Sequence, residues 1–241
     1  MMELRKLSDS GFWRGLGGAD GTLALSIVMP SGRATASDTP HLALSSDGLY
    51  LPEIAIEVDR LARSAGASSF SVRSMLDIDY YENLRQGPPP EDNLVVVGSA
   101  AVNLISEMLL EKCESWDRWR AGFPRPYGYP GMIVAADGRR FSFTGSPNVG
   151  ILAMYENPWS ASPRVALLCA GSFAIGTAAS LRLALEYLRG DRREDNETNP
   201  SIPLKIIDAR ARDYRHLELK SVHDCSPQMD VRNILSIRVL E

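Results

Sequence analysis

Residues 164–190 read RVALLCAGSFAIGTAASLRLALEYLRG, and this run decides the fold. Val165 to Cys169 is a short apolar segment without charge, the pattern of a strand covered on both faces. Gly171 and Gly176 punctuate it. From Thr177 onward Leu181, Leu185 and Leu188 recur at helical spacing, and Gly190 stands where a helix C-cap is expected. Strand, glycine turn and helix are thus continuous in one stretch.

The same construction occurs in residues 93–112, NLVVVGSAAVNLISEMLLEK. Here Leu94 to Val97 is the strand, Gly98-Ser99 the turn and Val102 to Leu110 the helix. Two such units predict a parallel sheet with crossover helices. Because neither strand carries charge or proline, both belong in the middle of the sheet, adjacent or nearly so. The fold expected is α/β: a Rossmann-like three-layer sandwich with a mostly parallel central sheet and an antiparallel hairpin insertion.

Each turn also offers an anion site, since the first-turn N–H groups of a helix lack intrahelical partners and lie at the positive end of its dipole. The candidate ligand-binding residues are Gly98, Ser99 and Asn103 in one turn and Gly171, Ser172, Gly176 and Thr177 in the other. Gly171 to Thr177 has P-loop glycine spacing, but Thr177 stands where the Lys belongs and Ala178 where the magnesium-binding hydroxyl belongs, so NTP hydrolysis by this loop is rejected. The dinucleotide spacing G-x-G-x-x-G is missing too. What remains is an anion-binding turn, or glycines that let strand and helix pack closely. Asn103 either ties down the neighbouring loop or bonds a ligand. Neither Ser99 nor Ser172 sits in G-x-S-x-G, so a nucleophile elbow is not supported.

The rest of the chain surrounds these units. Residues 1–21 are read as an N-terminal arm and 22–241 as a single Rossmann-like domain. Thr22 to Met29 is the first strand, ended by Pro30; the long polar connection Ser31 to Asp47 is either functional or a linker. Leu51 to Ala65 is a helix with Pro52 near its start and Gly66 at its end. Ser69 to Val72 is a short strand and Met75 to Leu84 a helix or coil. Trp116 to Pro130, dense in aromatic residues, glycine and proline, is expected to fold over the end of the sheet. Asp137-Gly138 marks a hairpin between Met132 to Ala136 and Phe141 to Thr144, and Val149 to Tyr155, Leu204 to Asp208, His216 to Val222 and Ile234 to Leu240 read as strands.

The chain's 241 residues, 44% of them hydrophobic, suffice for a substantial core without disulfides or metal. A net charge of −4 disfavours nucleic acid as the main partner. Cys113, Cys169 and Cys225 are odd in number and far apart, which fits reduced thiols in a cytoplasm. The first residues lack an apolar signal region, and the 17 uncharged residues from Val165 to Leu181 are explained as strand and turn rather than as a membrane span. His216, His223 and Cys225 lack a compact metal-ligand spacing, so no metal is expected; the cofactor, if one exists, is unknown at this level.

For catalysis the candidates are Glu53 and Glu57, on one helix face at i, i+4 spacing. As a carboxylate pair they would suit a nucleosidase-like hydrolase; as acids near a helix start they would complement the dipole and face solvent. Whether the protein is an enzyme stays open. The favoured function is binding of a small anionic, nucleotide-like ligand, against the alternatives of a protein-protein interaction or homo-oligomeric assembly module, using the aromatic segment Trp116 to Tyr129 and the Trp159 region, and of the hydrolase.

The segments VVVGSAAVN and YENPWSASPRVALLCAGSFAIGT together resemble a family of poorly characterised prokaryotic Rossmann-like domains, with a pattern related to archaeal surface-layer segments. In that family a strand ends in Gly-Gly-Pro-x-x-Asn, and an Asn-Pro-Trp/Phe-x-Pro segment leads into a strand ending Ala-Gly and a Gly-Thr helix start. Gly98 and Asn103 match the first motif; Asn157, Pro158, Trp159, Gly171, Gly176 and Thr177 match the second. Ser99 and Ala100 depart from the family's Gly-Pro. The resemblance covers the middle third to half of the chain and implies a fold and little biochemistry.

Overall fold

The computed structural model describes residues 22–31, 48, 50–64, 67–100, 102–112, 121–122, 132–134, 140–142, 148–161, 164–171, 174–189, 191, 204–211 and 234–239. In chain order these form β1 (Thr22–Met29), α1 (Leu51–Ser64), β2 (Ser69–Leu76), α2 (Asp77–Gln86), β3 (Asn93–Val97), α3 (Leu104–Lys112), β4 (Ala121–Gly122), β5 (Met132–Val134), β6 (Arg140–Ser142), β7 (Asn148–Glu156), β8 (Val165–Gly171), α4 (Ala174–Arg189), β9 (Leu204–Ala211) and β10 (Ile234–Val239). Seven strands make one sheet in the order β10-β9-β7-β8-β3-β1-β2. The half containing β2, β1, β3 and β8 is wholly parallel, whereas β7 runs antiparallel to both β8 and β9, and β10 antiparallel to β9.

Alternation along the strands divides the core in two. Leu23, Leu25 and Ile27 of β1, Val95 and Val97 of β3, and Leu167 and Cys169 of β8 face α1 and α4. Val28, Leu94, Val96, Ala166, Leu168 and Ala170 face the side of α2 and α3. All five residues of β3 are buried because helices cover both faces. The outcome is the expected three-layer α/β/α arrangement, with β3 and β8 central and paired directly, Val97 opposite Cys169. Helix α1 buries Leu51, Ile54, Val58 and Ala62, spaced by three and four residues. Each of its larger side chains contributes about 2 kcal/mol relative to exposure. Helix α4 is apolar almost all round, since α1 covers the flank that the sheet leaves free.

The hairpin predicted around Asp137-Gly138 forms between β5 and β6, with Val134 opposite Arg140. It joins β4 in a separate three-stranded sheet instead of entering the central one. The antiparallel strand inside the central sheet is β7, next to β8. The expectations for residues 1–21, for most of the 116–130 segment and for His216 to Val222 lie outside the described residues.

The crossovers differ in hand. Both α1 and α4 lie on one face, yet β1-α1-β2 runs across the sheet in one direction and β8-α4-β9 in the other, past β7. Two connections on one face in opposite directions have opposite hands, so one of them runs against the strong right-handed preference of parallel strand-helix-strand units.

Candidate functional site

The two glycine turns are neighbours. With Val97 opposite Cys169, Gly98 continues the pairing by donating its N–H to the Cys169 carbonyl at 2.8 Å. Gly98 has φ +92, and a Cβ there would lie 3.1 Å from Val102 Cγ2; the turn requires glycine. Helix α3 then leaves to one face of the sheet and α4 to the other. Where neighbouring strands send their helices to opposite faces, a crevice opens at the strands' carboxyl ends, the usual ligand position in open α/β sheets. That condition holds twice here, at β1/β3 and at β3/β8.

The β1/β3 position is filled from within. Asp77, fully buried, accepts the Ser31 and Ile78 N–H groups on Oδ1, each at 2.9 Å, and the Leu104 N–H on Oδ2 at 2.6 Å. Asn103 is the N-cap of α3: its Oδ1 accepts from the Ile105 and Ser106 N–H groups at 2.8 and 3.2 Å. Its Nδ2 donates to the Val28 and Val97 carbonyls. Leu104, Ile105 and Ser106 therefore all have internal acceptors, and the positive end of α3 is met by the chain's own carboxylate and amide. Asn103 takes the structural of its two anticipated roles.

The α4 side differs. A Cβ on Gly171 would overlap the Thr177 backbone nitrogen, and one on Gly150 would lie 2.5 Å from the Gly176 carbonyl oxygen and 2.7 Å from Ser180 Oγ. The start of α4 thus rests directly on the backbones of β7 and β8. Ser180 Oγ fastens it, sharing its proton between the Ala170 and Gly176 carbonyls at 2.9 Å each. The first turn of α4 carries no acidic residue. Thr177 and Ser99 are 3% and 7% exposed. Ser172 lies outside the described residues.

Glu53 and Glu57 are not brought to these turns. Arg189, the last residue of α4, donates to Glu53 Oε2 at 2.8 Å and to Glu57 Oε1 at 3.3 Å. That guanidinium belongs to a residue twelve positions beyond Thr177, about 18 Å along the helix axis. Arg60 also pairs with Glu57 at 2.7 Å. The Arg60 bond, joined by the one from Arg189, outweighs partial burial and holds the Glu57 carboxyl below its ordinary value. Both acids form an ion network that ties α1 to α4, with Glu53 46% exposed at its side chain.

At the opposite end of the sheet, Asn157 connects the β7-β8 turn to the start of β3. It donates from Nδ2 to the Asp92 carbonyl and accepts the Trp159 N–H. Asp92 in turn accepts from Ser26 Oγ and from Arg73 Nη2, the latter at 2.6 Å. Trp159 meets Tyr80 edge to face, centroids 6.2 Å apart. The Tyr80 hydroxyl and Trp159 Nε1 are buried without a hydrogen-bond partner, and burial, reinforced by the Asp92 charge, pushes the Tyr80 phenol far above its usual range. The Asn157-Pro158-Trp159 segment is therefore a structural clasp.

Comparison with protein-family models and with curated protein sequences finds no match to this chain. Among the described residues no helix is long and apolar enough to cross a membrane, and no three His, Cys, Asp or Glu side chains are grouped to hold a metal ion.

Proposed function

We propose that the chain binds a small anionic, nucleotide-like ligand in the β3/β8 crevice, between Gly98-Ser99 and Gly171 to Thr177. The observation that carries this reading is the adjacency of the two strand-glycine-helix turns at the carboxyl ends of paired strands, with an α4 first turn free of acidic residues. A ligand oxygen at the N-terminus of α4 would meet the positive end of that helix, beside the Ser99 and Thr177 hydroxyls. Asn103 supports the ligand only indirectly, by fixing the turn.

A thermal-shift screen over nucleotides and inorganic phosphate tests this, because a ligand at 100 times its Kd adds about 2.7 kcal/mol. Thr177→Val keeps the side chain's shape, removes its hydroxyl, and should weaken binding roughly tenfold, about 1.4 kcal/mol. A screen without any shift, or one unchanged by Thr177→Val and Ser99→Ala together, removes the reading.

Assembly is the second reading, favoured by β2. This strand pairs with β1 in unbroken register over eight residues, its side chains are largely exposed, no described strand pairs with its outer edge, and Arg73 is its one charge. Val72 is 37% exposed. A mass that rises with concentration, and falls back on Val72→Lys, would favour it. The hydrolase reading draws no support from the ion-paired Glu53 and Glu57.

A further inference from the structure

We infer that β2 is the surface on which a second copy of this chain docks, the two β2 strands pairing antiparallel about Val72 so that one sheet runs through both copies; this rests on the assembly reading above. Among the described residues three large apolar side chains are exposed, Ile56 at 65%, Ile78 at 45% and Val72 at 37%. All three belong to β2 or to the two helices packed against it, Ile56 to α1 and Ile78 to α2. Single exposed hydrophobics are ordinary, but a set confined to the last strand and its flanking helices marks an interaction surface.

The edge is also left unblunted. Open edge strands are normally protected by charge, proline or a bulge. The β2 sequence SFSVRSML holds no proline or glycine, pairs with β1 without a register shift, and has Arg73 as its one charge. That charge is turned onto the sheet of its own chain: Nε donates to Ser26 Oγ at 2.8 Å and Nη2 to the buried Asp92 carboxylate at 2.6 Å. An arriving strand therefore meets serines, apolar side chains and a guanidinium that is already compensated.

Symmetry makes a second β2 a fitting partner and selects the register. Two copies of one strand pair antiparallel only about a two-fold axis perpendicular to the sheet, which sets one residue opposite its own counterpart. Axes at Val72 or at Arg73 overlap the eight residues of β2 most fully. An axis at Arg73 opposes two like charges directly, which is unfavourable. An axis at Val72 sets Val72 on its counterpart, Ser71 on Arg73, Phe70 on Ser74 and Ser69 on Met75. Val72 is in register with Leu25 and Phe70 with Leu23, both of which face α1. The axis thus gathers Val72 and Phe70 of both copies into one apolar strip beside α1.

The test uses the full chain with Cys113→Ser and Cys225→Ser, carrying either Val72→Cys or Ser69→Cys. Opposed residues of an antiparallel pair have Cα atoms about 5 Å apart, whereas Ser69, offset by six residues, lies roughly 20 Å from its counterpart. Light scattering should show the mass rising from one chain to two with concentration, and a short thiol crosslinker should join the Val72→Cys variant and not the Ser69→Cys variant. Val72→Lys, folded by circular dichroism, should raise the dimer dissociation constant roughly tenfold or more. A dimer in which Val72→Cys stays uncrosslinked, or Ser69→Cys is joined instead, overturns the pairing and leaves assembly standing. A single-chain mass at every concentration overturns both, and slow hydrogen exchange at the β2 amides of that single chain would assign the edge to another segment of the same protein.

Discussion

Replacing Asp77 by Ala should be among the most damaging single changes in this chain. The carboxylate is fully buried and accepts three backbone N–H groups from three segments: the exit of β1 at Ser31, the first turn of α2 at Ile78, and the first residue of α3 at Leu104. Hydrogen bonds to a charged group contribute roughly 1.5–3 kcal/mol each, and a buried donor left alone costs a similar amount. Three coupled bonds that share one acceptor group do not add fully, so the expected loss is about 4–6 kcal/mol. That is a large share of an ordinary total of about 5–15 kcal/mol. Asp77→Asn keeps one acceptor oxygen but turns an NH2 toward a backbone donor, and should lose about half as much. Urea unfolding followed by circular dichroism gives both values at constant m. A loss below about 1 kcal/mol for Asp77→Ala would show that these bonds do not hold the three segments together.

Other substitutions probe separate parts. Gly150→Ala should cost about 2 kcal/mol, because α4 must retreat from a 2.5 Å contact with the Gly176 carbonyl; an unchanged urea midpoint would contradict so close a seat. The lowered Glu57 pKa stabilises the fold above the ordinary value of 4.5, and that contribution is lost as pH falls through the depressed folded value. Glu57→Gln should therefore flatten the acid limb of the stability curve without altering nucleotide-induced thermal shifts; a loss of those shifts would return Glu57 to the site. Tyr80→Phe removes a buried hydroxyl that has no partner, and the melting temperature should hold or rise, whereas a fall of several degrees would reveal a bonded hydroxyl.

Much of the scaffold could be read from residue pattern because its signals are local. Thr22–Met29, ended by Pro30, and the start of α1 at Leu51, beside Pro52, fall where the residues predict. The pairing of β3 with β8 followed from two runs without charge. The misreadings involve partners distant in sequence. Strand β2, expected over Ser69 to Val72, continues to Leu76, where Asp92 and Ser26 receive Arg73 across the sheet. Helix α4 begins at Ala174, ahead of the predicted Thr177, because Gly176 is a helical residue pressed against Gly150 rather than a turn. Asn103 caps α3 and so delays its start from Val102 to Leu104.

The candidate site was half legible for the same reason. Glycines and hydroxyls announce a turn, but nothing near Glu53 or Glu57 points to Arg189, more than 130 residues away. Asp77 looks like any acid in a helix's first turn. Its role emerges only when β1 and α3 are folded around it.

The opposite hands of the two crossovers bear on the order of assembly. Strands β7 and β8 pair locally, Glu156 opposite Val165, whereas β1 meets β2 and β3 only across the long 31–47 connection and helix α1, so the β7-β8 ribbon can close first. Strand β9 pairs with β7 rather than with β8, so the β8-α4-β9 connection is laid across that ribbon. Substitutions at the α4 seat, Gly150 among them, should then accelerate unfolding while leaving the refolding rate nearly untouched. Helix α4 would then be seated late, on a ribbon already formed.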